Sequence, residues 1–277
     1  MPARTFEVWG DPIDHSLSPR LHTAAYAELG RDWSYGRRRV DEGGFAAALA
    51  GVDATCGGLS LTMPLKGLAF RAATGVDDRA ARTRAVNTLV REDDIWHGFN
   101  TDVGGIVGAL GEAGIGSIGR GRIVGAGATA TSALVALVEL GAHEVEITAR
   151  RADAVAPLIA LGEDLGIRVT GAELAVRRPD PRELTIATLP GGAAVASGVA
   201  DALADAGGAL LDVVYGHWPT ALSAAWARRG LPVRDGSAML VHQALLQVRA
   251  FGAGRVDEPL ADEPRLLAVM HGALVGD

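Results

Sequence analysis

The chain holds one cysteine, Cys56, and one lysine, Lys66. A lone cysteine cannot close an internal disulfide, so nothing calls for an oxidising compartment, and a zinc site built on thiolates is excluded. The histidines lack metal-ligand spacing, so no metal is expected. Tyrosine is scarce too. Tyr26, Tyr35 and Tyr215 are the only three, and none forms the Tyr-x-x-x-Lys pair of short-chain dehydrogenases. No apolar run reaches the roughly 18 residues of a membrane span. The opening MPARTFEVWGDPI has no apolar signal core. A net charge of −7 speaks against nucleic acid or an anionic membrane as partner. The expectation is a cytoplasmic protein, a monomer or homodimer, acting on a small molecule.

The scarcity of lysine has a chemical side. Of 26 basic residues all but Lys66 are arginine. Arginine cannot give up its proton, whereas a partly buried lysine can titrate. On its own, Lys66 is equally well a chance survivor in a chain biased toward arginine.

What remains is an ordinary globular composition, 48% hydrophobic and 21% charged over 277 residues, enough for one large domain or two ordinary ones. FEVWG reads as a strand. Ser18-Pro19 then opens a helix whose Leu21, Ala24, Ala25 and Leu29 share a face, with Gly30 as its stop. GLSLTMP at 58–64 is strand-like. AVNTLVREDDIWHGFNTD reads as a hairpin and then a loop rich in amide, hydroxyl and carboxylate groups. GRIVGAGATATSALVALVELGAHEVEITARR has the order and length of one βαβ unit. Further strands at ELTIATL and ALLDVVY alternate with helical segments, which predicts a parallel doubly wound sheet. From Gly236 on the pattern is helical.

Gly125-Ala126-Gly127-Ala128-Thr129-Ala130 follows a strand and opens a helix. The first glycine permits the turn, the second admits a pyrophosphate to the backbone, and Ala130 lets the helix pack on the strand. The free N–H groups at the helix start suit phosphate. Where an NAD enzyme wants a carboxylate for the ribose, this chain reads Thr148-Ala149-Arg150-Arg151. Two guanidiniums suit a 2′-phosphate, so NADP is the expected cofactor.

Six further motifs occur in order around that turn. DPIDHSLSPRLHTAAYAELG resembles GxPIxHSxSPxxHN, and GLSLTMPLK resembles GxNVTxPxK. AVNTL, GFNTDVGG, DVVYGHWPT and GSAMLVHQA resemble AVNT, NTDxxG, DxxYxPxxT and GxxMLVxQ. Together they are similar to the shikimate dehydrogenase family over nearly the whole chain. The resemblance implies two α/β domains. Residues 1–102 with the returning helices of 236–277 would bind substrate, and 103–235 would form a Rossmann-like NADP domain.

It also implies roles for residues. Lys66 and Asp102 would be the catalytic pair. Ser16, Ser18 and Tyr215 would hold the substrate carboxylate, and Thr62, Asn87, Asp102 and Gln243 the ring hydroxyls. Ser18 is also placed to cap the helix before Pro19, whereas Ser16 has no evident structural duty. Met239, which would serve equally as core filler, lies on one helix face with Gln243. Asp78, Val213, Gly236 and Met239 would line the nicotinamide side. The implied reaction is the NADP-dependent reduction of 3-dehydroshikimate to shikimate, a step toward chorismate and the aromatic amino acids. Quinate or aminoshikimate dehydrogenases share the machinery, and a non-catalytic NADP sensor would share the fold. The chain departs from the family pattern at Ser60 (usually Asn), Arg84 (usually Gly) and Thr23 (usually Asn), and ATLPGG only loosely resembles NATPxG.

Overall fold

The computed structural model describes residues 4–151, 153–175 and 179–275. The chain divides into two compact units, Met1–Gly105 with Leu240–Asp277, and Ile106–Met239.

The first unit runs β1 (Arg4–Gly10), α1 (Ser18–Glu28), β2 (Trp33–Arg39), α2 (Phe45–Ala50), β3 (Cys56–Leu61), α3 (Lys66–Ala72), β4 (Gly75–Val76), α4 (Asp78–Thr83), β5 (Thr88–Glu92) and β6 (Ile95–Phe99). Helix α5 (Thr101–Glu112) then leads into the second unit. The sheet order is β2-β1-β3-β5-β6-β4. β1 pairs in parallel with β2 and β3, whereas β5 runs antiparallel to both β3 and β6. All six residues of β3 are buried, as a strand covered on both faces requires. Phe6 and Val8 of β1 enter one apolar cluster and Trp9 the other, so the period-2 alternation serves two cores at once. The hairpin expected from REDDI turns at Asp93 and Asp94, both at positive φ, the conformation a two-residue turn demands.

The second unit continues with β7 (Arg120–Val124), α6 (Ala128–Glu139), β8 (Glu144–Ala149), α7 (Ala156–Asp164), β9 (Arg168–Glu173), β10 (Leu184–Ala187), α8 (Ser197–Asp205), β11 (Ala209–Asp212), α9 (Ala221–Arg228) and β12 (Val233–Arg234). Its sheet, β12-β11-β10-β7-β8-β9, is parallel throughout. Strand order reverses between β7 and β10, the switch point at which doubly wound sheets bind ligands. The turn after β7 is the glycine-rich one. The ion pairs within this unit include Arg122 with Glu146 at 3.0 Å and Arg182 with Glu144 at 2.9 Å. Helix α10 (Ser237–Ala253) carries the chain back to the first unit, and α11 (Glu263–Val275) packs on α1 there. No helix among the described residues is long and apolar enough to cross a membrane.

Candidate active site

Lys66 is the first residue of α3, and its Nζ donates to Asp102 Oδ2 at 2.5 Å. Both side chains are nearly enclosed, at 13% and 7% exposure. The polar run around Asp102 reads as a loop in the sequence. Asp102 lies instead in the first turn of α5, because Asn100 caps it: Asn100 Oδ1 accepts from the Asp102 and Val103 N–H groups at 3.0 and 3.3 Å. A carboxylate in a first helical turn also meets the positive end of the helix dipole. Asn100 is itself anchored. Its N–H donates to Asp77 Oδ1, and its Nδ2 donates to Thr83 Oγ1 and the Ala85 carbonyl. Asp77 caps α4 through the Ala80 N–H, and burial pushes its carboxyl above the usual range. Sequence reasoning missed both anchors. An Asn two residues before an acidic first turn was the available signal.

Asn87 lies behind the pair. Its Nδ2 donates to Asp102 Oδ1 at 2.8 Å and to Thr101 Oγ1 at 2.9 Å, and its Oδ1 accepts from Thr101 N and Thr88 Oγ1. These bonds orient Asp102 before any ligand arrives.

The serines behave differently from expectation. The cap of α1 is Leu17, with no side-chain capping bond, and Ser18 is already helical. The reason is Ser16: its Oγ accepts from the Ser18 N–H at 3.3 Å, so the earlier serine has the local structural duty. Ser18 is instead a hydrogen-bond partner of the buried Tyr35 phenol, which also donates to Ser60 Oγ at 2.6 Å. Burial pushes that phenol above its usual range. Thr62, just past β3, donates its N–H to the Trp9 carbonyl and is half-buried. Gln243 is buried, with Nε2 turned back onto the Leu240 carbonyl of its own helix.

In the second unit Gly125 has φ +122°, where an L side chain is strained, and a Cβ there would collide with Thr188 Oγ1. Gly127 is the N-cap of α6 and has no side-chain capping bond. A Cβ on Gly127 would meet nothing within 4 Å. Open space at the start of a helix, where the first N–H groups have no partner within the helix, fits a pyrophosphate over Ala126, Ala128 and Thr129. Arg150 and Arg151 are exposed just past the end of β8, with no ion pair to another described residue. Val213 follows β11, and its carbonyl lies against Gly236 so closely that a Cβ on Gly236 could not be accommodated. The glycine turn, the arginines and Val213 thus follow the carboxyl ends of strands in one parallel sheet. Tyr215 is half-buried in this unit and its phenol is pushed up by burial. Met239 is buried. Asp78 belongs to the first unit, as the first residue of α4.

Comparison with known proteins bears on this geometry. Residues 8–89 match the family model described as the shikimate dehydrogenase substrate binding domain. A curated relative from Anaeromyxobacter sp. (strain K), named shikimate dehydrogenase (NADP(+)), is 35% identical over 284 residues, covering 97% of each chain. The crystal structure of Mycobacterium tuberculosis shikimate dehydrogenase superposes with a TM-score of 0.84 at 36% identity, covering 98% of this chain and 99% of that one. The shikimate 5-dehydrogenase of Thermus thermophilus, solved in complex with NADP(H) and shikimate, gives a TM-score of 0.80 at 28% identity, covering 98% and 99%.

Proposed function

The chain belongs to the shikimate dehydrogenase family, and from that premise we propose that Lys66 and Asp102 are the acid–base pair with which it interconverts 3-dehydroshikimate and shikimate. It is an NADP-dependent oxidoreductase of aromatic amino-acid precursor synthesis. The observation that carries the residue assignment is the enclosed Lys66–Asp102 contact at 2.5 Å.

A nicotinamide held by the second unit would supply the hydride. As hydride reaches the ring carbonyl carbon, negative charge builds on its oxygen, and the Lys66 ammonium stabilises that charge and passes over a proton. The product is the ring alcohol, and Lys66 is left as a neutral amine beside the Asp102 carboxylate, which favours its reprotonation from solvent. Oxidation runs the same transfers backwards. Asp102, fixed by Asn87, keeps the amine oriented. Ser16, Ser18 and Tyr215 hold the substrate carboxylate, and Thr62, Asn87 and Gln243 the ring hydroxyls. A hydroxyl-matched site rejects analogues that leave its buried polar groups unpaired.

The residues that would hold the cofactor are the Gly125–Thr129 turn for the pyrophosphate and Arg150 with Arg151 for the 2′-phosphate. Asp78, Val213, Gly236 and Met239 would line the nicotinamide. The first unit serves as the substrate domain and the second as the NADP domain. The reading includes a cytoplasmic enzyme, a monomer or homodimer. Steady-state turnover on shikimate, quinate and aminoshikimate, each with NADP and NAD, is the test. The highest kcat/KM is expected for shikimate with NADP; a higher value for quinate or aminoshikimate would reassign the substrate.

A further inference from the structure

The buried hydrogen bonds behind Asp102 run one way, and a backbone group sets their direction. Gln247 Nε2 lies 3.4 Å from the Asn87 carbonyl oxygen and 3.1 Å from Thr88 Oγ1. Flipping the Gln247 amide would set its oxygen against that carbonyl oxygen, which has no proton to give, so the nitrogen faces Asn87 and Thr88. Gln247 Oε1 then faces His22 Nε2 at 3.0 Å, so this ring nitrogen carries the hydrogen. His22 is fully buried and lowered to about 3 by that burial, hence neutral. Its Nδ1 is therefore an acceptor and takes the Tyr26 hydroxyl at 3.1 Å. On the other side Thr88 Oγ1, having accepted from Gln247, donates to Asn87 Oδ1 at 3.0 Å. The Thr101 N–H bonded to that same Oδ1 at 2.8 Å pins the Asn87 amide in this orientation. Asn87 Nδ2 donates to Asp102 Oδ1.

Every donor from Tyr26 through His22, Gln247, Thr88 and Asn87 thus points toward the Asp102 carboxylate, whose other oxygen takes Lys66. All are buried: none of these side chains upstream of Asp102 belongs to a residue more than 2% exposed. Buried chains of this kind polarise one another, and the last link is charge-assisted. We propose that Gln247 is a positioning residue for proton transfer, holding Asp102 through Thr88 and Asn87 in the orientation that pairs with Lys66. The proposal rests on the reading of Lys66 and Asp102 as the acid–base pair.

Gln247→Met keeps the length of the side chain and removes its hydrogen bonds, and Thr88→Val removes only the hydroxyl. Each is expected to slow single-turnover hydride transfer by about 3- to 10-fold, the worth of one hydrogen bond, while KM for the substrate changes less than about twofold. The double variant should be no slower than the worse single one, because both break one chain. Thr88→Ser should restore the wild-type rate. Additive losses, or a lowered Tm with an unchanged transfer rate, would reduce Gln247 to a packing residue and overturn the proposal. A measurement on the intact enzyme guards against variants that fail to fold. Nitrogen-15 shifts of His22 should report the neutral Nε2–H tautomer at pH 7, and the Nδ1–H tautomer would reverse the chain and sink the idea. Failure of the premise looks different: Lys66→Arg with a normal transfer rate would dismiss the acid–base pair and leave the tautomer untouched.

Discussion

Lysine and arginine at position 66 would carry the same charge, and only lysine can hand a proton on to the substrate. Lys66→Arg should therefore lower kcat by about 10²–10⁴-fold, the usual worth of general acid–base catalysis. Titration of shikimate should show a much smaller change in affinity. A near-normal kcat would mean that a fixed charge suffices at this position. His22 carries a second prediction, on stability. Its folded value, about 3, lies below the unfolded 6.5. The unfolded chain therefore takes up a proton first as pH falls, and stability declines from pH 6.5 toward pH 3. By pH 5 the loss from this residue comes to about 2 kcal/mol. The half-buried Asp77 and the buried Asp212, whose carboxyls are pushed up, act in the opposite sense, since protonation favours the folded state there. Denaturant melts at pH 7 and pH 5 should give a clearly smaller pH difference for His22→Gln than for the wild type; equal differences would show that His22 is not held neutral. That Lys66 and Asp102 come together was legible through the family motifs that carry both residues. Gln247 and Thr88 were not. A glutamine inside a helix and a threonine inside a strand look like ordinary occupants until long-range packing sets them side by side.

The two glycines of the β7–α6 turn separate stability from affinity within one element. Gly125→Ala forces an L side chain to positive φ and into Thr188, so it should destabilise the protein by about 1–3 kcal/mol. Gly127 has extended backbone, φ −95° and ψ −171°, and open space around it. Gly127→Ala should leave Tm within a few degrees and raise KM for NADPH, because the added methyl would stand where the phosphates are proposed to approach. Loss of Tm in both variants would argue that the second glycine is structural. Arg84 obeys the same rule from the other side. It closes α4 at φ +51°, which accounts for the glycine usual in the family, and its guanidinium lies over the Phe70 ring at 5.3 Å. Strain of about 1–2 kcal/mol is thus partly offset by cation–π attraction. At this scale the βαβ unit and the hairpin could be read from local pattern. The insertion of antiparallel β5 between β3 and β6 could not, because strand partners are chosen by contacts remote in sequence. Ser18 has the sequence of a cap and is not one, for a local reason: Ser16, two residues earlier, already takes its N–H.

For the whole molecule, cofactor preference should appear as ligand-linked stability. A ligand that binds only the folded state at about 100 times its Kd adds about 2.7 kcal/mol. NADPH should raise Tm by several degrees where NADH at the same concentration does much less. In the Arg150→Ala, Arg151→Ala double variant the two shifts should converge, with KM for NADPH raised at least about tenfold through the lost charge-assisted bonds. Unchanged NADPH shifts would remove the 2′-phosphate from these arginines. The residues assigned to proton transfer, Lys66, Asp102 and Asn87, all belong to the first compact unit, whereas the glycine turn and both arginines belong to the second. Mutations at the glycine turn and the arginines therefore fall on a different core from those at Lys66, Asp102 and Asn87, and sites that share no partners combine nearly additively. The two traits can drift, or be bred in the laboratory, one at a time: a lineage could exchange its electron carrier without relearning its metabolite.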